Sequence, residues 1–130
     1  DTIQQAEIVA PEQVTILESE TLTIASTQAT EPIYTDIEQI IYDAANKYGL
    51  DGDRLYSMAY CESTLNDKAV NYGYYENGYP SGIMQHLSGY YPARALKYGY
   101  STDVFDAYSN VNVTAAMIAD GQASQWACKY

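Results

Sequence analysis

Basic residues and long apolar runs are what this sequence most lacks. The 130 residues include 6 Lys and Arg against 17 Asp and Glu, which gives a formal net charge of −11 at pH 7. Electrostatic binding to nucleic acid or to an anionic membrane needs clustered basic side chains, so the charge argues against both. No apolar run approaches the roughly 20 residues that span a bilayer. We therefore expect a single domain that neither binds nucleic acid nor inserts into a membrane.

Metal ligands and most aromatic residue types are also scarce. With one His, and two Cys that lie far apart in the chain, we expect no zinc site and no cofactor. The aromatic residues are 15 Tyr against one Phe and one Trp. Because Tyr joins an apolar ring to a polar hydroxyl, this excess favours wet, half-buried surfaces over a dry aromatic core.

The composition changes near residue 33. Residues 1–33 carry six acidic residues, are rich in Thr, Glu and Gln, and contain no Lys, Arg, Gly or aromatic residue. We interpret them as an acidic extension or tether, although the β-prone runs at 14–17 and 21–24 also allow a small hairpin or packing against the domain. Residues 34–130 hold every Tyr, Cys and Gly, and we expect them to form the folded domain. The chain begins with Asp rather than Met, which is typical of a processed or trimmed chain.

Helical patterns dominate the folded part. Thr35 and Glu38 form a capping box before apolar residues at helical spacing, which predicts a helix that Gly49 ends. We predict three further helices: from about 51–53 to 62, from Pro92 to about 98, and from about 111 to 120 with Asn110 as its cap. Residues 66–89 are rich in Gly, Asn and Tyr, which predicts a long loop or a small β element. The fold class is mainly α, with an α+β character.

Glu62 stands out in the second predicted helix. The apolar stripe of Leu55, Met58 and Ala59 has Glu62 as its next position, at the end of the helix. Burial and the negative end of the helix dipole both raise the pKa of a carboxyl group, as general acid catalysis near neutral pH requires. Periodicity alone favours the alternative of a Glu that points to solvent or caps a neighbouring group, because helix ends fray and the helical phase is not fixed there.

The motifs around Glu62 resemble those of a known family. They read Cys-Glu-Ser-Thr-Leu-Asn at 61–66, Ala-Val-Asn at 69–71 and Ser-Gly-Ile-Met-Gln-His-Leu at 81–87, with further matches at 90–95, 103–106, 110–111, 115–116, 121–122 and 126–128. Together they resemble the lytic transglycosylase SLT family of the lysozyme superfamily, above all small secreted or phage-borne members that end in Trp-x-Cys. The likeness covers residues 36–130. The chain bears a weaker resemblance to resuscitation-promoting-factor domains. The chain departs from the family at 72–79, which reads as an insertion.

The resemblance implies a lysozyme-like fold that cleaves the β-1,4 bond between N-acetylmuramic acid and N-acetylglucosamine in peptidoglycan glycan strands. Glu62 would be the single catalytic acid, in a reaction that leaves a 1,6-anhydro product. Ser63 and Gln85 match positions that hydrogen-bond the substrate or orient the acid, and Met84 matches an apolar position of the cleft. Asn110 matches a position that places the last helix.

The resemblance also implies a Cys61–Cys128 disulfide with Trp126 packed beneath it, and hence a secreted, extracellular or cell-wall location. His86 is interpreted as a hydrogen-bonded structural residue. Six Tyr surround the second motif, and of these Tyr74, Tyr75 and Tyr90 are candidates for sugar contacts, because sugar rings have apolar faces that stack on aromatics. The alternative for such Tyr residues is a small hydrophobic core under the loop.

Two alternative functions stay open at this point. A hydrolytic muramidase would more often need a second carboxylate about 5 to 9.5 Å from the first. Asp67 is near in sequence, but it is better interpreted as a turn residue. A non-catalytic glycan-binding or structural module on the same fold is the other alternative, and the net charge lends it weight because cell walls are anionic.

Overall fold

The structure, a computed structural model, describes residues 35–130. The extension predicted for residues 1–33, with its β-prone runs at 14–17 and 21–24, lies outside the described residues. The elements in chain order are α1 (Asp36–Lys47), α2 (Gly52–Ser63), β1 (Pro80–Ser81), β2 (His86–Leu87), α3 (Tyr91–Tyr98), α4 (Ala107–Ala119) and a short 3-10 helix (Ala123–Gln125). A mainly α, α+β lysozyme-like fold is confirmed. No helix within the described range is long and apolar enough to cross a bilayer.

The first two helices begin where the sequence predicts. The Thr35 hydroxyl accepts the backbone N–H of Glu38 at 3.2 Å, and the Glu38 carboxylate accepts from Thr35 in return. The Asp51 carboxylate caps α2 by accepting the N–H groups of Asp53 and Arg54. Both helices pack their apolar stripes into one core: Ile41, Ala44 and Ala45 from α1, and Leu55, Met58 and Ala59 from α2.

Helix α4 is the centre of the core, since every residue from 109 to 118 is buried. It begins at Ala107, with Asp106 as its cap, so the predicted start at 111 with Asn110 as the cap is wrong. Asn110 lies inside the helix and is fully buried. Its side-chain oxygen accepts the N–H of Met84 at 3.0 Å, and its amide nitrogen donates to the carbonyl of Val104 at 2.8 Å. Asn110 therefore ties the central helix to the segment before β2.

The Tyr- and Gly-rich stretch contains the small β element. Strands β1 and β2 pair antiparallel, with Pro80 opposite Leu87, and the turn between them includes Gly82 at φ 78°. Only Gly fits there, because a Cβ at position 82 would lie 2.3 Å from the Val104 carbonyl oxygen. The turn therefore packs closely against the Val104 carbonyl and the Asn110 side chain. This packing fixes the hairpin on α4.

A disulfide joins Cys61 near the end of α2 to Cys128, across a sequence separation of 67 residues. Closing a loop of this size stabilises the fold by about 4 kcal/mol in chain-entropy estimates. The cross-link implied by the family resemblance is therefore present, and it holds the C-terminal segment against α2.

We predict that Asn110→Ala lowers the free energy of unfolding by about 2–4 kcal/mol, because it leaves the buried Met84 N–H and Val104 carbonyl without their partner. Guanidinium unfolding of both proteins measures the change. Asn46→Ala, at an exposed position of α1, is the matched control and is expected to change stability by less than about 0.5 kcal/mol. A loss of similarly small size for Asn110→Ala would contradict the bridging role.

Candidate active site

A groove of about 370 Å³ opens between the end of α2, the hairpin region and the C-terminal segment. The residues that line it are Glu62, Asn71, Tyr75, Pro80, Gln85, Leu87, Gln125, Trp126 and Ala127. Glu62 is the only carboxylate among these lining residues of the described chain. Polar amides and one phenol surround it, together with apolar side chains, a mixture that suits a sugar with hydroxyl groups and apolar ring faces.

Glu62 is half-buried in the last turn of α2. Its Oε2 accepts the backbone N–H of Cys128 at 3.3 Å. Burial raises the pKa of the carboxyl group above its ordinary value, and the hydrogen bond from Cys128 opposes this in part. The group is therefore protonated more readily than an exposed Glu, yet it has a donor ready for its charged form.

The disulfide accounts for the place of this donor. Cys61 directly precedes Glu62, and its bond to Cys128 brings the C-terminal backbone beside the carboxylate. Residues 125–127, which come just before Cys128, form one wall of the groove. The same cross-link therefore stabilises the fold, builds the wall and positions the N–H that contacts Glu62.

Two of the predicted site residues lie behind the groove rather than on it. The Ser63 hydroxyl donates to the carbonyl of Ile83 at 2.8 Å, so it connects α2 to the turn of the hairpin. The Met84 side chain is fully buried in the core. The expectation that the Met84 side chain lines the cleft is therefore corrected, because the turn directs this side chain into the core. The Met84 carbonyl still contacts the groove wall, since it accepts a hydrogen bond from Trp126 Nε1 at 2.8 Å.

Gln85 is a predicted substrate-binding residue that does line the groove with Glu62. Its backbone has φ 56°, in the left-handed region that few side chains adopt. The side-chain amide donates to the carbonyls of Ala69 and Gly82 at 3.1 and 2.9 Å. These two bonds fix its orientation in the groove.

Trp126 and His86 form a packed layer under the groove. Their rings meet edge to face with centroids 5.3 Å apart. His86 is fully buried, and its Nδ1 accepts from Arg94 at 3.1 Å because a guanidinium only donates. Its Nε2 then donates to the Thr114 hydroxyl at 2.7 Å. Burial and the nearby Arg94 charge lower the pKa of His86 to about 3, so it stays neutral and agrees with the structural role predicted for it.

The candidate Tyr residues divide into two groups. Tyr75 lines the groove, and its hydroxyl accepts from the Asn71 amide at 2.9 Å. Tyr74 is fully exposed and Tyr90 is 45 % exposed, and neither lines the groove. The Tyr90 hydroxyl accepts from the Asn77 amide at 2.7 Å instead.

Sequence reasoning missed several lining residues: Asn71, Pro80, Leu87, Gln125 and Ala127. Asn71 stood in a quoted motif, and Gln125 and Ala127 flank Trp126, so adjacency was an available signal. Leu87 also stood in a motif, at 81–87, whereas Pro80 reaches the groove through the hairpin register that places it opposite Leu87. Asp67 lies 3.9 Å from Lys68 and does not line the groove. Within residues 35–130, no three His, Cys, Asp or Glu side chains are grouped to hold a metal.

We predict that Glu62→Gln stabilises the protein at neutral pH. A carboxyl group whose pKa is raised by folding costs stability above that pKa, and the cost disappears as pH falls to its ordinary value of 4.5. Gln has the same shape, carries no charge, and keeps an oxygen for the Cys128 N–H. Thermal unfolding from pH 4 to pH 8 should show a higher Tm for Glu62→Gln than for the wild type at pH 8, and this gap in Tm should close toward pH 4. Glu76→Gln, on the exposed loop, is the control, and an equal gap in both variants would contradict the burial of Glu62.

Comparison with known proteins gives one family. The model of the transglycosylase SLT domain matches residues 39–125, which include the end of α2 with Glu62 and the β1–β2 hairpin and reach Gln125 in the groove wall. Neither the curated proteins nor the solved structures provide a significant match. Because the matched segment covers more than half of the sequence, the chain belongs to the transglycosylase SLT domain family.

Proposed function

We propose that this chain cleaves the β-1,4 bond between N-acetylmuramic acid and N-acetylglucosamine in peptidoglycan, with Glu62 as its single catalytic residue. The observation that carries the proposal is the lining of the groove, where Glu62 is half-buried and is the only carboxylate that residues 35–130 contribute. Membership of the SLT family supports peptidoglycan as the substrate.

The proposed reaction uses Glu62 twice. Protonated Glu62 donates its proton to the glycosidic oxygen, and the bond between that oxygen and the anomeric carbon breaks. The C6 hydroxyl oxygen of the same muramic acid then bonds to the anomeric carbon, and its proton passes to the Glu62 carboxylate. The enzyme returns to its starting state, and the product carries a 1,6-anhydro ring with no water consumed.

The surroundings of Glu62 suit both halves of this cycle. Burial favours the protonated form that acts as the acid, and the Cys128 N–H at 3.3 Å supports the charged form that acts as the base. A carboxyl group that first donates a proton and then accepts one needs a pKa that neither burial nor the hydrogen bond determines completely. The opposing influences on Glu62 supply such a balance.

The transglycosylase route is favoured over hydrolysis because the described part of the chain places no second carboxylate in the groove lining. Hydrolytic glycosidases mostly use two carboxyl groups, one of which activates water or attacks the sugar. An internal C6 hydroxyl needs no such partner to hold it, because it is already tethered to the reacting sugar. Asp67, the nearest candidate in sequence, is not among the residues that line the groove, and its Oδ2 lies 3.9 Å from Lys68 Nζ.

The remaining lining residues have proposed roles in binding. Gln85 and Asn71 present amides to the sugar hydroxyl and acetamido groups, and Tyr75 offers a ring and a phenol. The amide orientations of Gln85 and Asn71 are fixed by hydrogen bonds to the protein. Preordered polar groups of this kind bind a ligand with less loss of conformational entropy.

The proposed site of action is outside the cytoplasm, at the cell wall. Peptidoglycan lies there, and a structural disulfide such as Cys61–Cys128 persists in oxidising compartments. Residues 34–130 hold 11 acidic and 6 basic residues, a net −5 of the −11 in the whole chain. The folded part is therefore less strongly repelled by an anionic wall than the full charge suggests.

We predict that Glu62→Gln lowers the turnover of purified peptidoglycan by at least about 10²–10⁴-fold, the usual contribution of a general acid or base. Release of soluble fragments at fixed protein concentration measures the rate. Asp43→Asn, at an exposed position of α1 that does not line the groove, serves as the control for the loss of one negative charge. Wild-type activity in Glu62→Gln, in a protein whose unfolding shows it to be folded, would refute the assignment.

Mass analysis of the fragments decides the reaction type. Anhydro-muramic ends are expected, and each lacks one water relative to a hydrolysis product. Reducing muramic ends would instead assign a muramidase. Tight binding to the polymer without turnover would assign a non-catalytic module.

A further inference from the structure

Four tyrosines are exposed on residues 72–79, the segment where the chain departs from the pattern of the family. We call Tyr72, Tyr74, Tyr75 and Tyr79 the tyrosine platform. Tyr72 is 77 % exposed, Tyr74 is fully exposed, and Tyr75 and Tyr79 are 45 % and 43 % exposed. Aromatic rings are costly to leave in water, so a cluster of them on one short segment marks an interaction surface.

The platform is held in shape by contacts within the protein. The Tyr72 and Tyr79 rings meet edge to face with centroids 5.3 Å apart. The Tyr75 ring lies close over Gly73, where a Cβ would be 3.0 Å from it. A surface ordered in this way needs little rearrangement to bind.

Backbone hydrogen bonds fix the base of the segment. The N–H of Ser88 donates to the Tyr79 carbonyl at 3.0 Å, and the N–H of Gly89 donates to the Asn77 carbonyl at 2.8 Å. The Tyr79 N–H donates to the Ser88 hydroxyl at 3.1 Å. The platform is therefore an extension of the β1–β2 hairpin rather than a free loop.

The platform is continuous with the groove that contains Glu62. Tyr75 belongs to both, and the two ends of the segment, Asn71 and Pro80, also line the groove. Tyr72 directly follows Asn71, and Tyr79 directly precedes Pro80. A polymer that fills the groove and continues past Tyr75 would thus meet the other rings.

We propose that the tyrosine platform binds the peptidoglycan glycan strand at sugars beyond the bond that Glu62 cleaves. This proposal rests on the proposed function, since it takes the same strand as the ligand. The groove volume of about 370 Å³ is near the lower end of the range of small-ligand sites, so it holds only a short part of a strand. The platform would bind the part that continues outside.

The chemistry of the platform favours a sugar chain over a protein. Residues 71–79 contain only Asn, Tyr, Gly and one Glu, with no aliphatic side chain. Protein interfaces also use Tyr, but they are enriched in Met and Arg as well, and this segment has neither. Tyr rings and amides instead match the alternation of apolar ring faces and hydroxyl groups along a glycan.

The test compares long glycan strands with short peptidoglycan oligosaccharides as substrates of the full chain. In Tyr72→Ala/Tyr74→Ala we expect KM for long strands to rise about tenfold, the loss for two aromatic contacts, with little change in kcat. The rise for the short substrate should be several-fold smaller. Tyr72→Phe/Tyr74→Phe should restore most of the affinity, because the rings remain. Tyr60→Ala, which removes an exposed ring from α2 outside the groove, is the control.

The outcomes separate this proposal from the proposed function. Equal KM for long strands in wild type and the double Ala variant would overturn the platform, as would an equal loss on short and long substrates. The proposal would also be overturned if the double Ala variant lost self-association, seen by sedimentation, while its glycan binding stayed unchanged. Tyr74→Ala alone removes only an exposed side chain and is not expected to affect folding, so a rise in its KM for long strands reports the lost ring itself. If the wild type cleaves neither substrate, the proposed function fails, and sedimentation of each variant with insoluble peptidoglycan then decides the platform.

Discussion

The hydrogen bond from the backbone N–H of Cys128 to the Glu62 carboxylate is the contact on which the site depends. It spans 3.3 Å and joins residues 66 positions apart. The disulfide from the neighbouring Cys61 makes this approach possible. Burial and the N–H act on the pKa of Glu62 in opposite directions, and burial is the stronger. A carboxyl group held in this way favours its protonated form without the cost of complete burial.

A second chain of contacts sets the wall that Glu62 faces. Asn110 on the central helix accepts the Met84 N–H, and the Met84 carbonyl accepts from the Trp126 indole. Trp126 lines the groove and packs on the buried, neutral His86. The helix, the hairpin and the C-terminal segment therefore meet through polar atoms that are all paired. Such buried networks specify one arrangement because each member would be costly to leave alone.

Local sequence patterns predicted the helices and the β element, and the predictions that failed concern residues whose place depends on long-range contacts. The Thr35–Glu38 capping box and the stripe that ends at Glu62 depend on neighbours within one or two turns, so the sequence alone was sufficient. Asn110 looked like a cap because Asn favours helix starts, but a buried partner on another segment uses its side chain. Met84 was predicted from a family position, and the turn geometry places its side chain in the core. Tyr74 was predicted from sugar stacking alone, and its side chain lies in solvent. Glu62 and Gln85 do meet in one groove.

The most direct measurement is an NMR titration of the Glu62 side-chain carboxyl carbon in the disulfide-bonded protein and in Cys61→Ser/Cys128→Ser. The pKa of Glu62 should lie above the ordinary 4.5 in the intact protein, because the clamped C-terminal segment excludes water from it. In the double variant it should fall toward 4.5, since burial outweighs the lost hydrogen bond. A Glu62 that titrates at or below 4.5 in the intact protein would contradict the account.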